Sequence, residues 1–309
     1  MEFKKAVKYE AQLRMAIAGP SGSGKTWTSL AIAQHFGKVA LVDTEHGSAS
    51  KYADIYDFDT LILTPPFHPD KYMEAIANAC AGGYDVVILD SLSHAWNGPG
   101  GLLEIVDGIA ARMRTPNTFA AWKDATPIQN RLVQALTGPA IHVIAAMRSK
   151  QGYVSEKDEG GKTVIRKVGM EAIQRAGLEY EFDVFAEMNW ENKFVVSKTR
   201  CPELAGKVFS KPTGAEIAGI LQTWLSGEPA PHWIDNPKMA DALNEWAKER
   251  GLSDKDVLKL MGLGDIHDYV GTATAFKTVL EAALEQVGTA KKDIDDLYGE
   301  EKDDTLPGV

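Results

Sequence analysis

Short, almost wholly apolar runs alternate with helical patterns through the first 150 residues. Residues 13–18, 39–43, 60–64, 85–90 and 140–146 are rich in Val, Ile, Leu and Ala and carry few polar positions. They predict strands buried on both faces. Amphipathic stretches at 25–36, 70–81, 102–114 and 126–136 lie between them and predict helices. Apolar strands alternating with helices predict an α/β fold, a mostly parallel central sheet covered on both sides.

Beyond residue 150 the pattern changes. "GYVSEKDEGGKTVIRK" (152–167) reads as a β-ribbon or mobile loop turning at Gly160-Gly161. Residues 182–188 and 193–197 predict an antiparallel pair joined at 189–192, and 213–224 predicts a helix. "GEPAPHW" is linker-like. The stretch 236–287 is helical, with pieces opening at Asn236-Pro237, Ser253 and Thr272. Its apolar positions Met239, Leu243, Trp246, Val257, Leu260 and Met261 predict a small helical core. The expected organisation is a nucleotide-binding domain over 1–226, a linker over 227–235 and a helical domain over 236–290. An acidic disordered tail is expected over 291–309.

Composition narrows the class. The 309 residues hold two cysteines, Cys80 and Cys201, too few for a disulfide framework or a zinc site. No leader pattern and no apolar run of membrane length is visible, which predicts a soluble, cytoplasmic protein without membrane contact. The net charge of −10 argues against nucleic acid until it is located. Between Pro231 and Val309 there are 9 Lys/Arg and 17 Asp/Glu, so most of the acidity lies in the last quarter and says little about partners of the rest.

The chemistry begins in "RMAIAGPSGSGKTWTSLAIAQHF", a strand, a glycine-rich loop and a helix in succession. Gly19, Pro20, Ser21, Gly22, Ser23, Gly24, Lys25 and Thr26 satisfy G-x-x-x-x-G-K-[ST]. Glycines in such a loop let backbone N–H groups turn toward phosphate oxygens, and the helix adds its positive end. Lys25 would then reach the β- and γ-phosphates of ATP, and Thr26 would ligate Mg2+. Asp90, closing "DVVILD", is the second expected metal anchor. Glu45 follows the strand in "KVALVDTE". Placed next to the phosphate-loop strand in the sheet, it would orient or deprotonate the attacking water. Asp43 competes for that role, but it closes the strand and is expected to be held by it.

Together these segments resemble the RecA-like P-loop ATPase core. "VDTEH" is similar to that family's Asp-x-Glu-His, which implies that Glu45 activates water. Tyr52, seven residues later, matches a tyrosine that stacks on adenine. "ILDS" (88–91) resembles the family's metal-binding strand followed by serine. "MRSKQG" (147–152) resembles the segment leading into its second DNA-binding loop. "VVSKTR" (195–200) resembles the strand that offers two basic residues to a neighbouring subunit's nucleotide. Lys198 and Arg200 would thus act in trans, in a homo-oligomeric ring or helical filament. The family senses the γ-phosphate with a glutamine where this chain has Ala146, so the resemblance implies a switch between ATP and DNA affinity that is weaker or uses Arg148, Ser149 or Lys150.

The order of "KYEAQLRMAIAGPSGSGKT", "DSLSHAWNGPGGLL", "GMEAIQRAGLEYEFD" and "SKTRCPELAGKVF" is closer still to bacteriophage AAA-type ATPases related to the RecA-like Sak annealing group. That resemblance implies a Mg2+-dependent ATPase acting on single-stranded DNA in recombination or annealing, with a single-strand-binding protein as a further partner.

The residues themselves bear on DNA separately. From Arg148 to Arg175, seven Lys/Arg face four Asp/Glu, a local basic excess suited to a phosphate backbone. Arg148, Lys150, Lys162, Arg166, Lys167 and Arg175 are the candidate DNA contacts. Tyr153 is the sole aromatic in that window, a thin stacking platform that Phe119 and Trp122, in the loop after Asp90, could supplement. Trp122 alternatively anchors the core of the following helix. A ring or switch ATPase acting on protein partners stays open as a second reading.

Overall fold

The structure, a computed structural model, describes residues 3, 5–157, 163–229, 233–269, 276, 277, 279–281, 283 and 284. At 152–157, 163–169, 233 and 268 the description is of the backbone alone. The turn expected at Gly160-Gly161, the helix start at Thr272 and the 291–309 tail fall outside these residues. Two compact units divide the chain, Met1–Pro229 and Ala230–Val309.

The first unit is a mixed α/β layer structure around a nine-stranded, mostly parallel sheet, as in P-loop NTPase cores. Its strands are β1 (Arg14–Gly19), β2 (Val39–Asp43), β3 (Asp59–Ile62), β4 (Val86–Asp90), β5 (His142–Lys157), β6 (Thr163–Ala172), β7 (Val184–Met188), β8 (Lys193–Thr199) and β9 (Val208–Ser210). Hydrogen-bonded neighbours run β3-β2-β4-β5-β1-β7-β8-β9, with β6 paired to β5 off that path. From β3 to β7 all pairings are parallel, and β7–β8, β8–β9 and β5–β6 are antiparallel.

Period-two alternation along β1 explains the layers. Met15 and Ile17 pack on one face with Leu30 and Ile32 of α1 (Lys25–Ala33) and Ile217 and Leu221 of α6 (Ala215–Leu225). Ala16 and Ala18 pack on the other with Tyr72 and Ile76 of α2 (Pro69–Ala81) and Leu132 and Leu136 of α5 (Thr118–Thr137). Two further helices, α3 (Ser93–Asn97) and α4 (Leu102–Ala111), follow β4. A small separate cluster joins α4 to α5 through Leu102, Val106, Ala121 and Ala125.

Three expectations need correction. The strand before Glu45 is not the neighbour of the phosphate-loop strand, because β4 and β5 stand between β2 and β1. Burial decides the order: β5 is almost fully buried from Val143 to Met147 and takes the centre, while β3 is exposed at every position and takes the edge. Second, Phe119 and Trp122 lie on α5, not in a loop. Asn117 caps that helix by accepting a bond from the Ala120 N–H, and the helix continues through Pro127. Trp122 stacks on Trp96 at 5.7 Å between ring centres and packs with the α4–α5 cluster, whereas Phe119 is exposed. Third, α3 and β9 are elements that the periodicity did not reveal, each of five residues or fewer.

The long β5 matters most for the site. It is in parallel register with β1 up to Gly19 opposite Arg148, then pairs antiparallel with β6 from Ser149 opposite Ala172. A two-stranded ribbon therefore grows directly out of the central sheet.

The second unit contains α7 (Pro237–Glu249), capped by Asn236, and α8 (Asp254–Met261), opened by a capping box between Ser253 and Asp256. Trp246, Ala247, Val257, Phe276 and Leu280 form its core, with Leu243, Leu260 and Met261 packed against them. Met239, expected in that core, is exposed. Among the described residues no helix is long and apolar enough to cross a membrane.

Candidate functional site

Parallel strands bring their C-terminal ends to one edge of the sheet, so the loops after β1 and β2, Asp90 at the end of β4 and Arg148 within β5 share one cleft. It measures about 240 Å³ and is lined by Ser21, Gly22, Gly24, Lys25, Thr26, Trp27, Glu45, Ser48, Lys51, Tyr52, Asp90 and Arg148. A larger recess of about 390 Å³ between β9 and the start of α6 is lined by the single segment 207–217 and does not draw on the ends of the parallel strands.

The loop's shape requires its glycines. Gly22 and Gly24 have φ of 79° and 91°, in the left-handed region that L side chains avoid. A Cβ on Gly19 would stand 2.6 Å from both the Met188 carbonyl and Ser23 Oγ. Gly24 supplies no side-chain cap to α1, which leaves the helix's first N–H groups turned to the cleft. The turn between β7 and β8 braces the loop from behind, where Asn192 Nδ2 donates to the Ser23 carbonyl at 2.9 Å.

Lys25 is buried, and its Nζ donates to the Pro20 carbonyl at 2.9 Å. Burial lowers its pKa from the ordinary lysine value, against the raising influence of Asp90 and Glu45. Thr26 Oγ1 donates to Asp90 Oδ2 at 2.5 Å. Asp90 is 3% exposed, and that burial pushes its carboxyl up to about 6, the Thr26 hydrogen bond working the other way. One hydroxyl and one carboxylate are hard oxygen donors of the kind Mg2+ takes. Among the described residues no three His, Cys, Asp or Glu gather to hold a metal unaided. The pair therefore fits a magnesium ion that completes its shell with water and phosphate oxygens, the usual arrangement at nucleotide sites.

Glu45 comes from the loop after β2. Arg148 Nε and Nη2 both reach its Oε1, at 2.9 and 2.8 Å. Asp43 is tied down, since its two carboxylate oxygens accept from the N–H groups of Glu45 and Ala49 at 2.6 and 2.9 Å. The ends of β2 and β4 are locked together: the Ser91 N–H donates to Thr44 Oγ1, which is 2.6 Å from His94 Nδ1.

Tyr52 lines the outer wall, with Trp27 set edge-on to it at 5.6 Å and to Tyr56 at 5.2 Å. Trp27, Asn192 and the pairing of Arg148 with Glu45 are not among the sequence expectations. The signal for Trp27 was available, as a large aromatic directly after the Lys-Thr pair. For Asn192 there is none, because its partner is 169 residues away; Arg148 is reached only through the family resemblance, and its ion pair with Glu45, 103 residues away, has no local signal.

Lys198 and Arg200 do not line this cleft. Lys198 Nζ donates to the Phe182 carbonyl and to the Tyr180 carbonyl, and its pKa is lowered by burial and then by Arg200. Arg200 pairs with Asp183 at 2.8 Å. Of the six candidate DNA contacts, Arg148 is in the cleft, Lys150 pairs with Glu171 at 3.9 Å, and the Arg175 guanidinium lies over the Trp122 ring. Arg166 and Lys167 are on β6, opposite Val154 and Tyr153. Lys162 falls outside the described residues.

Residues 11–208 match the AAA domain family. That is more than half of the chain and includes the whole cleft, so the protein belongs to this family of nucleotide-binding P-loop ATPases. No curated protein matches the chain.

Proposed function

We propose that the chain is a Mg2+-dependent ATPase of RecA-like type that works on single-stranded DNA in recombination or strand annealing, in keeping with the phage AAA-type group its motifs resemble. The observation that carries this reading is the convergence of Lys25, Thr26, Glu45, Asp90 and Arg148 at the root of the β5–β6 ribbon.

In this reading the phosphate loop's N–H groups and Lys25 hold the β- and γ-phosphates. Thr26 and Asp90 would hold the magnesium ion, which neutralises phosphate charge when bound. Glu45 orients the attacking water and takes its proton, and Tyr52 lies against the base. Lys198 and Arg200, absent from their own cleft, would complete a neighbouring subunit's site in a head-to-tail ring or filament. The ribbon's basic residues would follow the DNA backbone, with a single-strand-binding protein as a further partner.

The ribbon provides the test. Neutralising Lys162, Arg166 and Lys167 together should weaken binding of a single-stranded oligonucleotide and flatten the salt dependence of what remains, as fluorescence anisotropy at two salt concentrations would show. Unchanged DNA binding, or none by the wild type at low salt, would leave an ATPase directed at protein partners as the better reading.

A further inference from the structure

Two adjacent residues at the start of α3 hold the two sides of the Glu45–Arg148 ion pair, whose members lie 103 residues apart in the chain. Ser93 Oγ accepts the Arg148 N–H at 2.9 Å. His94 Nδ1 stands 2.6 Å from Oγ1 of Thr44, the residue before Glu45. Thr44 is buried directly after β2, and its N–H donates to the Asp90 carbonyl at 2.8 Å.

The Thr44 hydroxyl has one proton and three polar neighbours. The Ser91 N–H donates to it at 2.8 Å, and its own proton can go to the Ser91 carbonyl at 3.3 Å or to His94 Nδ1. The shorter contact assigns that proton to Nδ1, which leaves the imidazole neutral with its hydrogen on Nε2. Burial, and after it Arg148, lower the His94 pKa from the ordinary histidine value, Glu45 opposing and His46 adding to them, which favours the neutral ring. The ring plane is set by stacking on buried Phe67, at 4.9 Å between centres and 21° between planes. The Phe67 N–H is fixed in turn by the Pro99 carbonyl at 2.7 Å.

From this geometry we infer that His94 is a positioning residue for hydrolysis, acting through Thr44 to set where the Glu45 carboxylate stands. The inference rests on reading the cleft as an ATP site with Glu45 as its base. Asp43 holds the Glu45 N–H at 2.6 Å, and Thr44 ties the same stretch of chain to the end of β4. His94 completes the bonding of the Thr44 side chain, so losing its nitrogen frees the hydroxyl that joins the two strand ends. A displacement of about 1 Å in a catalytic group can cost about a hundredfold in rate. The groups that would hold the phosphates are carried by β1 and α1, not by α3. A loosened Glu45 therefore slows hydrolysis and leaves nucleotide affinity as it was.

ATP hydrolysis and the affinity of a non-hydrolysable ATP analogue, both measured on the full chain with Mg2+, test this. An asparagine amide can stand in for Nδ1, whereas a glutamine amide reaches the place of Nε2. His94→Asn should keep kcat within about threefold, and His94→Gln should lower it about tenfold or more, with analogue affinity within about twofold in both. Thr44→Val should lower kcat as far, and adding His94→Gln to it should cost nothing further, since both changes break one link. Equal kcat in the Asn and Gln variants, whether both active or both impaired, would overturn the assignment. So would losses that add in the double variant, or analogue affinity falling in step with kcat. Should the wild type not hydrolyse ATP, the ATPase reading fails first and takes this inference with it; wild-type hydrolysis with equal Asn and Gln variants sinks the inference alone.

Discussion

At the scale of single residues, the cleft is divided between polar groups at the phosphate end and aromatic rings at the other. Trp27 sits in the first turn of α1, 37% exposed and edge-on to Tyr52 and Tyr56. A large apolar surface in that position is explained if a base lies against it. Stacking on an aromatic side chain is worth about 1–3 kcal/mol per base and discriminates little between bases. Trp27→Ala is therefore expected to weaken binding of ATP and GTP alike, by about tenfold, in equilibrium dialysis. A loss confined to one nucleotide would mean that the base is read by hydrogen bonds instead. The residues that spacing made legible, Lys25, Thr26 and Asp90, lie in local motifs: eight residues fix the loop and a strand end fixes the aspartate. Arg148 is reached only through the family resemblance, and its contact with Glu45, like that of Asn192 with Ser23, depends on which distant segments meet, which no local pattern encodes.

At the scale of elements, one edge of the fold is held by a buried cation. Arg14 opens β1, is 7% exposed, and donates to carbonyls around the C-terminal end of α5: Thr137 at 3.0 Å, Ile141 at 2.5 Å, and Pro139. Burial lowers its pKa to about 10, opposed by Asp183, and it satisfies carbonyls that a helix end would otherwise leave orphaned. Arg14→Leu keeps the apolar volume but strands those carbonyls, at about 1–3 kcal/mol each while they stay dry. A fall in urea midpoint at unchanged slope is the expected result; an unchanged midpoint would show that water replaces the guanidinium without loss.

His142 opens β5 at the same edge and accepts the Leu13 N–H on its Nδ1 at 2.8 Å, which requires a neutral ring. Burial depresses its pKa from 6.5 to about 4, with Arg14 adding to the effect. Because the folded value lies below the unfolded one, its contribution is complete above pH 6.5 and is lost as pH falls toward 4. Asp90, raised to about 6, works in the opposite sense over much of that window. The difference between the wild type and His142→Gln removes it. That difference in melting temperature should shrink steadily from pH 7 to pH 4, and a constant difference would contradict a half-buried histidine held neutral by its bond to Leu13.

Elements were more legible than their ends. The parallel strands announced themselves because burial on both faces demands continuous apolar runs. The start of α5 was misplaced because Pro127 resembles a first-turn proline, whereas the capping Asn117 stands ten residues earlier. Strand β9 has three residues, too few for a period to show.

At the scale of the whole molecule, the cleft and the ribbon share a strand. β5 passes from the middle of the sheet, beside the phosphate loop, into its pairing with β6. Strand order could not be read from the sequence, since each apolar run would fit any central place. Yet every parallel order delivers the strand ends to one edge, so the site's components were recoverable even where the expected neighbour of β1 was not. The acidic excess of the last quarter lies outside this unit, whose own charge is close to balanced.

The most direct test is ATP hydrolysis by the full chain with Mg2+, with and without single-stranded DNA, at two salt concentrations. Hydrolysis stimulated by DNA, with the stimulation fading as salt rises, is the expected result and would tie the cleft to the basic ribbon. Hydrolysis indifferent to DNA at both salt concentrations would contradict that coupling.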